Sequence, residues 1–170
     1  MEIAKIIENR RSIRKYKPGF KLPMDDIKLL LHAGMLAPSA MNCRAYDFVV
    51  VQKDEILAEI VKCHTYAKFV LDAGTAIIVV ARPDLEEGKC SSFYQQDCSA
   101  VTQNILLQAV EMGYGTCWCG LYPSSPRYEE VRDLLKIEKG IPFSLIAIGI
   151  PDINPPKRGK YEEEKVTFIL

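Results

Sequence analysis

The sequence predicts an α+β fold in which a central mixed β-sheet is flanked by helices. Two short and almost continuous apolar runs, 75–81 and 143–150, are typical of buried strands. Apolar residues recur at helical spacing in the segments between the predicted strands. These segments alternate with strands but do not form clean βαβ units, which favours a mixed sheet over a wholly parallel one.

Two helices and a loop are predicted before the first strand. The first helix has three isoleucines at helical spacing and ends in a polar cluster: Ile3, Ile6, Ile7 and 9–12. The second has an acidic first turn and an apolar stripe: Asp25 or Asp26, then Ile27, Leu30, Leu31, Gly34 and Met35. Pro38 prevents this helix from continuing, so residues 37–42 are predicted to form a loop.

The remaining elements alternate along the chain. Strands are predicted over residues 46–52, 75–81, 116–121 and 143–150. Helices are predicted over 53–63 and 97–112, and another is expected to begin at Ser125 and Pro126, an N-cap and first-turn pair. The polar residues 83–92 are predicted to form a loop.

Two features point to a second subunit. The helix predicted over 97–112 is apolar over a wide arc, so we expect another subunit to cover part of it. Residues 1–170 are expected to form one domain in which 151–170 are an extended, proline-rich tail. Because this tail ends in the apolar residues 166–170, we expect it to dock on the partner subunit.

Composition excludes several classes of protein. Lys plus Arg and Asp plus Glu both number 22, and zero net charge argues against a general nucleic-acid binder. No apolar run approaches the roughly 20 residues that span a bilayer, and the N-terminus lacks the pattern of a signal peptide. We therefore expect a cytoplasmic protein without a nucleic-acid or membrane partner.

Metal and dinucleotide motifs are missing from the sequence. Its six cysteines form no Cys-x-x-Cys pair, and only two histidines are available, so no metal site is predicted. In a chain without an export signal the cysteines are expected to be reduced. Neither Gly-x-Gly-x-x-Gly after a strand nor a P-loop motif is present.

Three segments are candidates for a binding site. Residues 10–14 hold three arginines and a serine, which suit phosphate oxygens but also fit a solvated turn. A second basic cluster, 157–160, is a candidate for the same phosphate. In the loop 38–42, Asn42 offers both donors and an acceptor, although a plain loop after a proline is equally compatible. Glycines in 113–120 allow a flat ligand to approach the backbone, or simply end a helix before a strand.

Taken together and in this order, the three candidate segments identify a protein family far more specifically than any one of them does. The sequence resembles the FMN-dependent nitroreductase family over essentially its whole length. The matching segments are 9–16, 37–42, 71–73, Asp97 with 103–107, 113–120, 147–151 and the basic tail. The resemblance implies a nitroreductase-like α+β fold and an intertwined homodimer with two FMN sites at the subunit interface.

The resemblance also implies an activity. In this family the flavin carries the chemistry and the protein positions it. NADH or NADPH gives hydride to flavin N5, and a small electron acceptor such as a nitroaromatic or a quinone then takes the electrons, in a ping-pong cycle. No amino-acid side chain is required as a general base, so no catalytic residue is expected beyond the flavin.

Site residues are carried over from the family by position. The cofactor-binding candidates are Arg10, Arg11, Ser12, Arg14, Pro38, Ser39, Asn42, Cys119, Gly120, Arg158 and Lys160. Arg10, Arg158 and Lys160 are expected at the phosphate, and Arg14 at the ribityl chain or pyrimidine edge. Pro38, Ser39 and Asn42 are expected to reach the flavin from the other subunit, and Cys119 and Gly120 to present backbone near N5.

The sequence departs from the family pattern in two places. Many relatives follow the asparagine of the second segment with Gln-Pro-Trp, where this chain has residues 44–46. Some relatives bind the pyrimidine with Asn and Lys where this chain has Tyr66 and Phe69. The candidates for the substrate side of the flavin are His64, Tyr66, Phe69, Phe93 and Tyr94, each of which is also compatible with simple packing.

Two other functions are compatible with the same residues. A carrier or sensor that binds FMN without turnover would use the same phosphate and ring contacts. A nucleic-acid or nucleotide binder would use residues 10–21 as a basic face, and would show strongly salt-dependent binding and no flavin. The zero net charge disfavours the second of these.

Overall fold

The computed structural model describes residues 2–85, 93–156 and 159–170. Four strands form one sheet in the order β1-β2-β4-β3. They are β1 (Tyr46–Val51), β2 (Thr75–Ala81), β3 (Gly115–Gly120) and β4 (Ile141–Gly149). The strands predicted from the sequence are all present, and β2 has the predicted bounds.

The α+β class is confirmed, but the sheet is antiparallel rather than mixed in its four strands. Each neighbouring pair, β1–β2, β2–β4 and β3–β4, is antiparallel. The alternation of strands and helices along the chain suggested mixed pairing. Strands β2 and β3, which are joined by a long helix, do run in the same direction. However, β4 lies between them and is antiparallel to both. Ser12, which lies outside the named strands, forms a parallel bridge with Thr116 of β3.

Six helices are found in the described residues. They are α1 (Ile3–Asn9), α2 (Met24–Met35), α3 (Asp54–Cys63), α4 (Val70–Ala73), α5 (Tyr94–Glu111) and α6 (Arg127–Leu134). Pro126, rather than Ser125, occupies the N-cap position of α6, and the Ser125 hydroxyl donates to Glu129 instead. Of the predicted loop 83–92, Pro83–Leu85 form a 3-10 turn and 86–92 lie outside the described residues.

The helices cover both faces of the sheet. On one face Leu57, Ile60, Val70 and Val131 of α3, α4 and α6 pack with Ile78 of β2. On the other face Leu30 of α2 and Ile105 of α5 pack with Ile77. Because β2 is buried on both faces, its successive side chains are all apolar or small, which explains the continuous run in the sequence. No helix within the described ranges is long and apolar enough to cross a membrane.

Part of the apolar surface of α5 that faces away from the sheet is covered by another helix of the same chain. The sheet packs on one side of α5 and α2 on another. The two helices approach closely at Gly34, where an added Cβ would lie 3.0 Å from Ile105 Cγ1. The contribution of a second subunit to α5 stays a prediction. The chain terminus is open to solvent, since Phe168 is 66% exposed and Ile169 is 95% exposed.

Candidate functional site

The basic segment after α1 is held against the edge of the sheet. Ile13 N–H donates to the carbonyl oxygen of Thr116 at 2.8 Å, and Ile13 and Tyr16 are buried. In extended chain, residues on either side of a buried position point the other way. Burial of Ile13 therefore leaves Ser12 and Arg14 on the outside, next to Arg10.

The tail after β4 runs beside this segment. Asp152 N–H donates to Lys15 O at 2.9 Å, and the Lys15 ammonium lies 3.1 Å from the Asp152 carboxylate. Arg11 extends the contact, since its Nε donates to Pro156 O at 3.0 Å and its Nη1 to Arg10 O at 2.7 Å. The structure thus brings the N-terminal basic cluster and the tail together. Arg11 donates one hydrogen bond to the tail and one to Arg10 O, whereas the side chains of Arg10 and Arg14 also line the space between the two segments.

A cavity of about 590 Å³ lies between the two segments. Its lining comes from both segments: Arg10, Arg11, Ser12, Arg14, Lys15, Ile153, Pro155 and Gly159. No carboxylate is among these residues, so the positive charge of the cavity suits an anion such as a phosphate. Lys160 follows Gly159 and is exposed, whereas Arg158, the other predicted phosphate residue of the tail, lies outside the described residues.

Strand β3 presents backbone groups along the sheet edge to which the basic segment is bonded. Because Thr116 O accepts from Ile13, the backbone groups of Thr116 point away from β4, and those of Trp118 and Gly120 follow by alternation. The backbone of Cys119 points instead toward Leu145 of β4. Of the two predicted residues, Gly120 therefore directs its N–H out of the sheet. An added Cβ at Gly120 would meet nothing within 4 Å, so the space around it is open.

The thiols of Cys117 and Cys119 face the protein core. Both are buried in the cluster that contains Ile13 and Tyr16. The neighbouring Cys119 side chain, followed by the charges of Arg14 and Arg10, lowers the pKa of Cys117 to about 7. The Cys117 side chain and burial raise the pKa of Cys119, whose Sγ lies 3.9 Å from Cys117 O. At 2% exposure Cys117 is protected from reagents in solvent.

The loop with Pro38, Ser39 and Asn42 lies at the other side of the sheet. It follows α2 and leads directly into β1, the edge strand opposite β3. Three strand spacings, about 14 Å, separate these edges. The structure of one chain therefore does not bring the loop to the basic cavity.

This loop contains three non-glycine residues in the left-handed region, Met41, Asn42 and Arg44, with φ of 51°, 56° and 49°. Its N-terminal half is bound by Asp97 of α5, whose two carboxylate oxygens accept the Ala40 N–H at 3.0 and 3.1 Å. No role for Asp97 or Arg44 followed from the sequence. The unusual backbone is not visible in residue types, and a contact between positions 40 and 97 requires the folded chain.

The five predicted substrate-side residues have different environments. His64 is only 4% exposed, and neither ring nitrogen has a hydrogen-bond partner in the described part of the chain. Burial, followed by the charge of Arg127, lowers its pKa. Tyr66 is 79% exposed and packs edge-on against His64. His64 is thus buried behind the surface to which Tyr66 belongs.

Phe69 and Tyr94 are half-buried, and Phe93 is exposed. The ring of Phe69 lies 6.3 Å from that of Tyr16, on the side of the sheet that holds Cys117. The Tyr94 hydroxyl lies 3.3 Å from that of Tyr122, whose ring also packs against Tyr128. Tyr122 and Tyr128 were not predicted. Tyr122 lies two residues after the end of β3 and Tyr128 lies in α6, so Tyr94 is near the end of the strand that carries Gly120.

A larger cavity, about 880 Å³, lies between β1 and residues 135–139. Its charged lining is mixed, with Asp47 and Glu138 among basic residues. Its Arg82 is already paired with Asp47 and Asp84. No group of three His, Cys, Asp or Glu able to hold a metal occurs in residues 2–85, 93–156 and 159–170. We therefore place the candidate site at the basic cavity rather than at the larger one.

Known proteins are similar to this chain in both sequence and fold. The model of the Nitroreductase family matches residues 7–66 and 59–150. A Methanothermobacter thermautotrophicus protein with the provisional name NADH dehydrogenase/NAD(P)H nitroreductase is 41% identical over 98% of this chain and 86% of its own length.

Two solved structures show the same agreement. A Parabacteroides distasonis protein with the same provisional name has a TM-score of 0.90 and 30% identity, covering 99% of this chain and 98% of its own. An FMN-dependent nitroreductase of Clostridium difficile has a TM-score of 0.85 and 28% identity, covering 96% of each chain. With the order of the basic segment, the loop and β3, these matches show that the chain belongs to the nitroreductase family.

Proposed function

We propose that this chain is an FMN-dependent oxidoreductase that uses NADH or NADPH to reduce small electron-poor acceptors, such as nitroaromatics and quinones. The observation that carries the proposal is the basic cavity beside β3. Arginine and lysine side chains, with no carboxylate among them, line the cavity. Gly120 lies farther along β3, and its N–H points out of the sheet. This arrangement fits a ligand with a phosphate at one end and a flat heterocycle at the other.

The residues of this chain have distinct proposed roles. Arg10, with Lys160 and Arg158 of the tail, binds the phosphate, and Ser12 and Arg14 lie along the ribityl chain toward the ring. The charge of Arg14 favours a negative charge on the reduced ring. Gly120 N–H donates a hydrogen bond at the N5 side. When bound, FMN supplies hydride transfer at N5, so the protein needs no general base.

A homodimer completes the site in this proposal. Asn42, Ser39 and Pro38 precede β1, the edge strand about 14 Å across the sheet from β3 of the same chain, so we propose that they contact the flavin of the partner. Exposed apolar side chains support an interface, among them Ile3, Ile7 and Leu36 near α5, and Phe168 and Ile169 in the tail. We propose that the tail 151–170 of the single domain docks on the partner.

The state of the thiols supports a proposal for the location. The five cysteines in the described residues are free. Reduced thiols are usual in the cytosol, where NADH and NADPH are also available. We therefore propose a cytoplasmic enzyme.

An absorption spectrum of the purified protein tests the function. We expect the bands of oxidised flavin, which bleach when NADH or NADPH is added without oxygen and return when a quinone or nitroaromatic is added. Bleaching by one of the two nucleotides would identify the donor. A flavin spectrum that neither nucleotide bleaches would favour the carrier or sensor. A colourless protein that binds no added FMN would contradict the proposal.

A further inference from the structure

The segment 39–44 adopts a backbone that its own residues do not favour. Met41, Asn42 and Arg44 all have positive φ, although none is glycine. Such residues cost free energy and persist only where surrounding contacts impose the conformation. Because strained backbone of this kind concentrates at functional sites, the contacts that hold the loop are of interest for binding as well as for folding.

One contact comes from outside the loop. Asp97 lies in the first turn of α5, is 5% exposed, and accepts the Ala40 N–H with both carboxylate oxygens. The two residues are 57 positions apart, so the contact joins the loop to the helix that packs on the sheet. A buried carboxylate is costly unless it accepts hydrogen bonds, and this one accepts the backbone N–H that begins the turn Ala40–Asn42.

A second set of contacts orients Asn42. Arg44 N–H donates to Ser39 Oγ at 3.0 Å and closes the loop on itself. Arg44 Nε donates to Asn42 Oδ1 at 3.2 Å. Because the amide oxygen is bound by Arg44, the amide nitrogen of Asn42 is the end that remains for a ligand. Asn42 is thus prepared to donate a hydrogen bond to an acceptor atom.

We propose that Asp97 is a positioning residue for the cofactor site, a role that rests on the proposed function. By binding Ala40 it fixes the strained turn, and with Arg44 it holds the Asn42 amide as a donor toward an acceptor atom of the flavin in the partner subunit. Without this contact the turn is free to relax toward ordinary backbone conformations, and Asn42 no longer points consistently at the cofactor. Asp97 itself does not touch the flavin.

The rate of FMN release from the holoprotein, followed by the rise in flavin fluorescence after dilution, tests this role. We expect Asp97→Ala to release FMN about tenfold faster or more, since a hydrogen bond to a charged group is lost. Asp97→Asn keeps one acceptor oxygen at the same position, so its rate is expected within about threefold of the unmodified protein. Rescue by Asn separates positioning from a requirement for the negative charge.

Thr102→Val is the matched control. Thr102 is a buried residue of α5 whose hydroxyl bonds Cys98 O and Ser144 Oγ, away from the loop. We expect this variant to lower the melting temperature without changing FMN release. If it releases FMN as fast as Asp97→Ala at a similar loss of stability, the effect is global and the role of Asp97 is overturned. Release at the unmodified rate from Asp97→Ala overturns it as well.

A second variant removes the donor in case Asp97→Ala does not fold. Ala40→Pro lacks the N–H, and Ser39 before it already has the extended conformation that proline favours, with φ −138° and ψ 151°. We expect faster FMN release from this variant too, and an unchanged rate would contradict the proposal. If the unmodified protein binds no FMN, the proposed function itself fails. If it binds FMN tightly and both variants retain it, only the role of Asp97 fails.

Discussion

Arg11 joins the two ends of the chain, because its Nε donates a hydrogen bond to the carbonyl oxygen of Pro156, 145 residues away. The same guanidinium donates to Arg10 O through Nη1. The geometry of one side chain thus sets the position of the tail relative to the residues that we propose for the phosphate.

Replacing Arg11 with Lys is therefore expected to loosen the tail. A single ammonium cannot reproduce two donors in a fixed planar arrangement. Loss of about 1 kcal/mol raises the population of open tail about fivefold. Limited digestion with trypsin, mapped by mass spectrometry, should show faster cleavage at Lys160. Arg132→Lys, which alters an exposed pair with Asp133 on α6, is the control and should leave the rate unchanged. Equal rates in all three proteins would contradict the role of Arg11.

Arg10→Ala is expected to weaken FMN binding without separating the dimer. The guanidinium lines the basic cavity and has no carboxylate partner among the residues that the structure describes. Loss of a charge-assisted contact to phosphate corresponds to about a 10- to 100-fold rise in the dissociation constant. Titration of flavin-free protein with FMN measures this, and sedimentation measures the dimer. Unchanged affinity would show that the phosphate lies elsewhere.

Mixed dimers test whether each flavin contacts two subunits. Arg10→Ala and Asn42→Ala chains should each bind FMN poorly as homodimers. When they are dissociated and reassembled together, one of the two sites of a mixed dimer receives Arg10 from one chain and Asn42 from the other, both unmodified. We therefore expect half of the sites in mixed dimers to regain normal affinity. If both residues served the flavin of their own chain, every site would carry one substitution and no site would recover.

Gly149 and Gly120 differ in the space available to a side chain. An added Cβ at Gly149 would lie 2.5 Å from Ala73 O and 2.9 Å from Ala73 Cα, and backbone atoms cannot rotate away. Strand β4 and helix α4 must therefore separate. We expect Gly149→Ala to lower the free energy of unfolding by about 2 kcal/mol or more, as in other overpacked sites. Urea denaturation should show little change for Gly120→Ala, the control. An unchanged free energy of unfolding for Gly149→Ala would mean that α4 can shift away from β4 without cost.

The fold was predicted well where periodicity is strong and local. Strand β2 was predicted with its observed bounds because both its faces are buried and its residues form a continuous apolar run. Helix α4 was missed because four residues do not establish a helical period. The antiparallel order was missed because the insertion of β4 between β2 and β3 depends on contacts that are distant in sequence.

The roles of the candidate site residues stay predictions, and their surroundings depend on the folded chain. Arginines at 10–14 were expected to bind a cofactor, yet the side chain of Arg11 is directed to two backbone carbonyls. His64 was expected on the substrate side, but the end of α3 places it in the interior. Asp97 matched the family pattern without a role, because its contact with Ala40 exists only in the folded chain.

His64 is expected to make stability depend on pH. Burial and the charge of Arg127 lower its pKa below the ordinary value of 6.5, so the folded protein takes up a proton at this imidazole less readily than the unfolded chain does. The unfolded chain takes up a proton as the pH falls through 6.5. Between these two pKa values the unfolded state binds more protons, so the free energy of unfolding falls with acid. The stability contributed by neutral His64 is fully present above pH 6.5 and is lost below it.

Urea denaturation at several pH values between 7 and about 5 measures this dependence. His64→Gln has a side chain that does not titrate, so we expect its free energy of unfolding to decrease less with acid than that of the unmodified protein. The only other histidine, His32, is exposed on α2 and provides the matched control. His32→Gln should keep the steeper dependence. If the two variants behave alike, the acid destabilisation comes from carboxyl groups rather than from His64. In that case another group in the folded protein stabilises the protonated form of the buried ring.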